Sequence, residues 1–409
     1  MHSSDRDRVV LAAVVFAVLF SQLLLYPGIG DLVTALGADA ATSPITETTL
    51  DASMWFLVAE FGAYVVFVGI WGLASDYTAR RTPFIVASAL AGAAGYAGLA
   101  VIAVATTIPF EGVLLVRAFQ GAMTVGALSL TMTMLMDLEG GHGRNMGAAG
   151  IAIGLGAATG APVGGQLTGI DPLAPLVAAA ALLCLVGLLV ILADDRAPTS
   201  SRGVAAILDG VRRRPTLSIP YAFGFVDRLT AGFFALVGTL YFQDTFAVDA
   251  ATTGLLLACF FAPFALFQYP MGMLSDRIGR TVPIVAGSIS YGVGILAVGA
   301  APSVTIAAIT MVLVGVLGAL ISPATMALVT DLADDEERGL AMAGFNLAGS
   351  LGFLGGFLIG GTVASTWGYD LAFLVVGGLE ILIALVAVPA FLRCSIGASP
   401  QLSLDEREA

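Results

Sequence analysis

The chain is punctuated by apolar runs, each long enough to cross a bilayer and each followed by a short polar stretch. They fall at 9–29, 53–74, 83–106, 111–136, 146–169, 173–193, 218–242, 251–274, 282–301, 304–332, 340–365 and 371–392, which makes twelve. A spanning helix needs about 20 consecutive apolar residues. The runs lack the two-residue alternation of barrel strands, so they read as helices. The longest polar interruption, Asp194 to Thr216, is too short to fold alone as a catalytic or nucleic-acid-binding module. The pattern predicts an all-α membrane protein whose function lies inside the bilayer.

Composition agrees. Hydrophobic residues make up 58% of the 409 positions and charged ones 11%, with a mean hydropathy of +0.96, whereas a soluble domain is about a quarter charged. All 17 basic residues are Arg; against 29 acids they leave a net charge of −12, which excludes nucleic acid as a partner. An exterior without Lys and rich in carboxylates fits a protein from salty surroundings. Cys184, Cys259 and Cys394 are scattered, and His2 and His142 lie in a tail and a loop. These residues suggest no disulfide framework, metal or cofactor, and no Ser/His or Cys/His constellation points to an enzyme.

The arginines orient the chain. Arg6, Arg8, Arg80, Arg81, Arg144, Arg196, Arg202, Arg212, Arg213, Arg214, Arg277, Arg280, Arg338, Arg393 and Arg407 fall on one side of a twelve-span arrangement, while the opposite loops carry only acids, such as Asp31, Asp51, Asp171, Asp244 and Asp249. Positive residues stay cytoplasmic, so both termini are expected inside. Arg6, Arg8, the first apolar run and Ala38-Asp39-Ala40 also resemble a cleaved signal peptide, but the run is long for one and cleavage would break the repeat described next.

Gly72-Leu73-Ala74-Ser75-Asp76-Tyr77-Thr78-Ala79-Arg80-Arg81 returns 200 residues on as Gly272-Met273-Leu274-Ser275-Asp276-Arg277-Ile278-Gly279-Arg280-Thr281. Asp137 precedes Arg144 as Asp331 precedes Arg338, and Gly156, Gly160 and Gly164 recur as Gly352, Gly356 and Gly360. Two six-helix halves are therefore duplicated in parallel. The expected organisation is a first bundle over 1–193, a cytoplasmic linker over 194–217, a second bundle over 218–393 and an acidic tail over 394–409. Glycines four apart let another backbone approach, so spans five and eleven are expected to pack closely at an interface. Val204, Ile207, Leu208 and Val211 repeat at helical spacing ahead of Arg212, which predicts a short amphipathic helix on the inner membrane face; a flexible linker is the alternative.

With these motifs in place, the chain resembles a twelve-helix transporter of the major facilitator superfamily. The repeated loop is similar to that family's G-x-L-a-D-r-x-G-r-k signature: Gly272, Asp276, Arg277, Gly279 and Arg280 match, while the first copy keeps Gly72, Asp76, Arg80 and Arg81 but has Tyr77 and Ala79. Arg117 to Gly121 resembles the R-x-x-q-G motif of proton-coupled members, with Gln120 in place. Gly156 to Gly165 resembles the antiporter motif of span five, with Pro162 displaced by one position. The resemblance implies a central cavity, rocking alternating access, and a latch containing Asp76, Arg80 and Asp137. The span-five motif implies an exporter of drugs or metabolites.

Ionisable side chains inside a membrane are functional candidates by default. Glu60 and Arg117 lie about 7 and 6 residues from the outer ends of their spans, at a similar depth of roughly 10 Å, and can pair. Asp227 and Arg228 sit about 14 Å deep in span seven and point about 100° apart. Glu380 is on span twelve, where an interior contact is expected. Gln22, Gln268, Tyr269 and Asn346 add polar positions. The reading is a secondary active transporter, a proton-coupled exporter of small, largely apolar solutes, monomeric, with Asp227 the first candidate for the proton and Glu60 the second. An uptake symporter, a uniporter and a receptor or scaffold on the same fold remain open.

Overall fold

The computed structural model describes residues 3–38, 47–105, 108–139, 142–195, 212–334 and 337–397. Among them there is no strand. Helices α1 (Ser3–Leu23), α2 (Thr49–Thr78), α3 (Thr82–Ala105), α4 (Phe110–Met136), α5 (His142–Ile170) and α6 (Ala174–Leu189) form the first half. The second half contains α7, which runs from Ser218–Phe233 through a π turn at Phe234–Gly238 into Thr239–Phe246, then α8 (Ala250–Ile278), α9 (Thr281–Gly299) and α10 (Val304–Leu332). It ends with α11, from Arg338–Gly355 through a π turn at Gly356–Gly360 into Gly361–Trp367, and α12 (Tyr369–Gly397). Eleven of these are long and apolar enough to cross a membrane. The twelfth, α1, opens with Asp5, Arg6, Asp7 and Arg8, and its apolar part begins only at Val9. The amphipathic segment predicted at 204–211 lies outside the described residues.

Local chemistry sets the helix ends. Thr48, Asp249 and Ser303 cap α2, α8 and α10 with side-chain oxygens that accept from the backbone N–H three residues on. Hydrogen bonds from Thr252 hold the Asp249 carboxyl below the usual carboxylate range. α2 ends on Ala79 at φ 52° and α8 on Gly279 at φ 84°; glycine enters this region freely, whereas Ala79 does so at a steric cost of about 1–2 kcal/mol.

The packing repeats between halves. In the first, α2 packs on α4, α3 on α4 and α6, and α1 on α5; in the second, α8 packs on α10, α9 on α10 and α12, and α7 on α11. The first helix of each half is irregular, α1 breaking after Leu23 and α7 passing through its π turn. The halves meet along α5 with α8 and, more sparsely, α2 with α11.

The contacts between halves gather toward the Arg-free face. A Cβ placed on Gly165 would lie 2.2 Å from the Ala250 carbonyl oxygen, and one on Gly254 would lie 2.4 Å from that of Ala161. Gln243 Nε2 donates to the Pro27 carbonyl at 2.6 Å, and Phe61 stacks on Phe353 with centroids 4.8 Å apart. At the Arg-bearing ends, Gly72 on α2, Gly147 and Gly150 on α5, and Gly339 on α11 all face open space. Among the described residues, the close contacts between the halves therefore lie toward the Arg-free face.

Candidate functional site

A fully buried polar cluster forms where α2, α3 and α4 touch. A Cβ on Gly121 would lie 2.5 Å from the Glu60 carbonyl oxygen, and one on Gly95 2.6 Å from Gln120 Cβ, so the three helices pack almost backbone to backbone. Within this seam Arg117 donates to Glu60, and both side chains are fully excluded from solvent. Arg117 also donates to Gln120 Oε1 at 2.5 Å, and Gln120 Nε2 donates to Thr124 Oγ1 at 2.7 Å. The guanidinium lies 4.4 Å from the Phe56 ring centroid and 5.5 Å from that of Tyr96, a cation–π sandwich that compensates part of its lost hydration. Glu60 Oε1, Arg117 Nε, Tyr96 Oη and Gln22 Nε2 are buried without a hydrogen-bond partner among the described residues. Glu60, Arg117 and Gln120 thus come together, as their depth and the span-four motif suggested. Phe56, Tyr96 and Thr124 were missed, because an aromatic or threonine in an apolar run looks like packing.

The second half holds a separate cluster. Asp227 is buried and Arg228 half-buried, with the Arg228 stem against Gly349 of α11. Asp227 is within electrostatic reach of Arg228, of Glu380 on α12 and of Tyr291 on α9. Gln268 is half-buried, while Tyr269 and Asn346 are exposed; none of the three shows a side-chain contact to either cluster.

At the Arg-bearing ends, charged pairs form inside each half. Arg81 donates to Asp137 at the end of α4, and its backbone N–H donates to Asp195 Oδ1 at 2.9 Å. Arg280 reaches Asp331 at 3.0 Å, Asp276 at 2.5 Å and Ser275 Oγ at 3.2 Å. The resemblance placed Arg80 in this cluster, but Arg80 is exposed and Arg81 makes the contact. The reason is one extra residue: α2 and α8 end at equivalent positions, yet α3 starts at Thr82 and α9 at Thr281, so Arg81 stands where Arg280 stands, just before the next helix. Arg277 is exposed, Asp76 half-buried, and Gly72 and Gly272 sit one turn before the aspartates.

The repeated glycines serve each half separately. Gly156, Gly160 and Gly164 lie against Phe16, Phe20 and Leu23 of α1 and Leu24 just beyond it, and Gly352, Gly356 and Gly360 against Phe225, Leu229 and Phe233 of α7. α5 and α11 were each expected to pack closely at an interface, and they do so against α1 and α7; the seam between the halves uses other glycines, Gly154, Gly165 and Gly254, with Pro162 beside Gly254. Among the described residues no group of His, Cys, Asp and Glu gathers as a metal ion would need.

A model of the major facilitator superfamily matches residues 11–241 and again 221–406. The chain belongs to the major facilitator superfamily. Its curated relatives include an uncharacterized MFS-type transporter of Methanocaldococcus jannaschii, 31% identical over 163 residues, 40% of this chain and 42% of that protein. The class G tetracycline resistance protein of Vibrio anguillarum is 30% identical over 56% of this chain and 60% of its own length. The class C tetracycline resistance protein of Escherichia coli is 27% identical over 79% of this chain and 82% of its own length. The first two alignments thus span less than two thirds of the relatives' lengths. Among solved structures, the nucleoside transporter NupG superposes with a TM-score of 0.73 over 96% of this chain and 99% of the other, at 15% identity, a likeness of fold. This major facilitator protein is a multi-pass membrane protein.

Proposed function

We propose that this transporter exports small, largely apolar organic compounds across the plasma membrane in exchange for protons, working as a monomer by alternating access. The observation that carries the reading is the alignment with the class C tetracycline resistance protein over 342 residues. A shorter alignment with multidrug resistance protein 2 of Bacillus subtilis points the same way. The Arg-bearing face is cytoplasmic by the distribution of positive residues, which makes this an inward-open form. The halves 1–193 and 218–393 rock about the α5–α8 and α2–α11 seams, tethered by 194–217, and 394–409 is a cytoplasmic tail.

Of the two candidate proton carriers, Asp227 comes first. Glu60 already has its counter-charge, Arg117, in direct contact. Asp227 has only the half-buried Arg228 nearby and a second acid within reach. Uptake by symport is the competing reading, favoured by a 25% identical match over 158 residues to the galactose-proton symporter of Escherichia coli.

Flux in proteoliposomes tests the proposal. Purified protein of known orientation is given a panel of apolar cations, tetracycline-like compounds and sugars, with and without an imposed pH gradient. Export reads as movement from the Arg-bearing side, driven by acid on the other. Sugar accumulation along the proton gradient would establish symport instead.

A further inference from the structure

Counting charge within the membrane separates the two halves. In the first, one acid, Glu60, meets one base, Arg117, and they are in contact. In the second, two acids, Asp227 and Glu380, share the interior with one base, Arg228. Glu380 is 1% exposed. Its Oε1 accepts from Thr230 Oγ1 at 3.2 Å, one turn along α7 from Asp227. The backbone brings α12 this close: a Cβ on Gly292 of α9 would lie 2.5 Å from the Gly377 carbonyl oxygen and 3.2 Å from Glu380 Cβ. Tyr291 is fully buried beside Gly292 and within electrostatic reach of both carboxylates. One turn earlier, on the face of α9 that meets α12, Ser288 Oγ is fully buried and has no hydrogen-bond partner among the described residues.

The groups facing the pair can be named helix by helix. α7 brings Arg228 and Thr230, α9 brings Ser288 and Tyr291, and α12 brings Glu380 itself. α10 carries no ionisable side chain before Asp331 near its end, and α11 none after Arg338 at its start. Arg228 can balance one carboxylate. A second unbalanced negative charge at this depth would cost several kcal/mol, and neighbouring carboxylates relieve such a cost by sharing a proton.

We propose that Asp227 and Glu380 form a two-carboxylate binding site for a single proton between α7, α9 and α12, with Thr230 positioning the Glu380 carboxyl. The proposal rests on the proton-coupled reading for its physiological use, but the site itself is a property of the protein alone. It gives α12 a part in coupling: the proton is held between α7 and α12, two helices of the half that rocks as one body. Protonation adds one H⁺ to one carboxylate oxygen, and release returns it to water when the adjoining face opens; no other bond changes.

Infrared difference spectroscopy on the intact purified protein, titrated in sodium-free buffer, reads the carboxyl C=O stretch directly. Wild type is expected to show one protonated-carboxyl band. Glu380→Gln and Asp227→Asn should each shift its titration by about one pH unit or more, the minimum for coupled sites, and the double variant should abolish it. Thr230→Val, which keeps both acids, should move the band frequency without removing the band. A band unchanged in both single variants would overturn the site. So would loss of the wild-type band on adding sodium at constant pH, since a metal cation would then be the occupant. Flux driven by a pH gradient is measured in parallel: a site that titrates as described in a protein that ignores the gradient would sink the coupling reading and leave the site standing.

Discussion

Arg117 donates to the Glu60 carboxylate between α2 and α4, with both side chains fully excluded from solvent. The pair is held by Gly95 and Gly121, which admit the neighbouring helices, and by the Phe56 and Tyr96 rings over the guanidinium. Removing one partner strands the other charge, a loss of about 3–5 kcal/mol in buried pairs. Arg117→Met is therefore expected to lower thermal stability sharply, and Glu60→Gln in the same chain to restore much of it. Melting curves of the two single variants and the double variant in detergent check this. Additive losses would show that the two side chains are not coupled.

Glycine seams of two kinds should behave differently. A Cβ on Gly160 would lie 2.9 Å from Leu23 Cβ, and one on Gly356 2.2 Å from the Leu229 carbonyl oxygen, both inside a half. Gly160→Leu and Gly356→Leu are expected to insert into the membrane and to lose most transport. Gly254 lies between the halves, where a Cβ would meet the Ala161 carbonyl oxygen at 2.4 Å. Gly254→Leu should wedge the Arg-free face apart, read as a longer spin-label distance between the ends of α1 and α7 on that side. An unchanged distance would mean that α5 and α8 do not close that face.

Both clusters were partly legible in the sequence. Depth counting brought Glu60 to Arg117, because helix rise is regular and the two spans share an end. It did not reveal Arg81 in place of Arg80, since one added residue between α2 and α3 is invisible until the helix ends are known. Nor did it reveal the π turns of α7 and α11, which lie against each other, nor how closely Glu380 approaches α7. That last contact depends on the crossing of α9 and α12 at Gly292 and Gly377, a geometry that no spacing along one helix encodes.

The latch residues sit on the Arg-bearing face, away from the close contacts between the halves. Arg81–Asp137 and Arg280–Asp331 each tie helix ends within one half, so they stiffen the rigid bodies rather than join them. Asp76→Asn removes a charge that can engage the facing helix end only when this face shuts. A charge-assisted contact contributes about 1.5–3 kcal/mol, so the variant should populate the parted form more than wild type. Spin labels on the Arg-bearing ends of α2 and α11 would then report a distribution weighted to long distances; the wild-type distribution in the variant would remove Asp76 from the latch.

The central claim is that a proton held at Asp227 drives the rocking of the halves. Paired flux measurements on Asp227→Asn proteoliposomes test it most directly. Substrate exchange without a gradient should persist, because binding and rocking survive, while accumulation driven by a pH gradient should vanish. Gradient-driven transport at the wild-type rate in this variant would contradict the account.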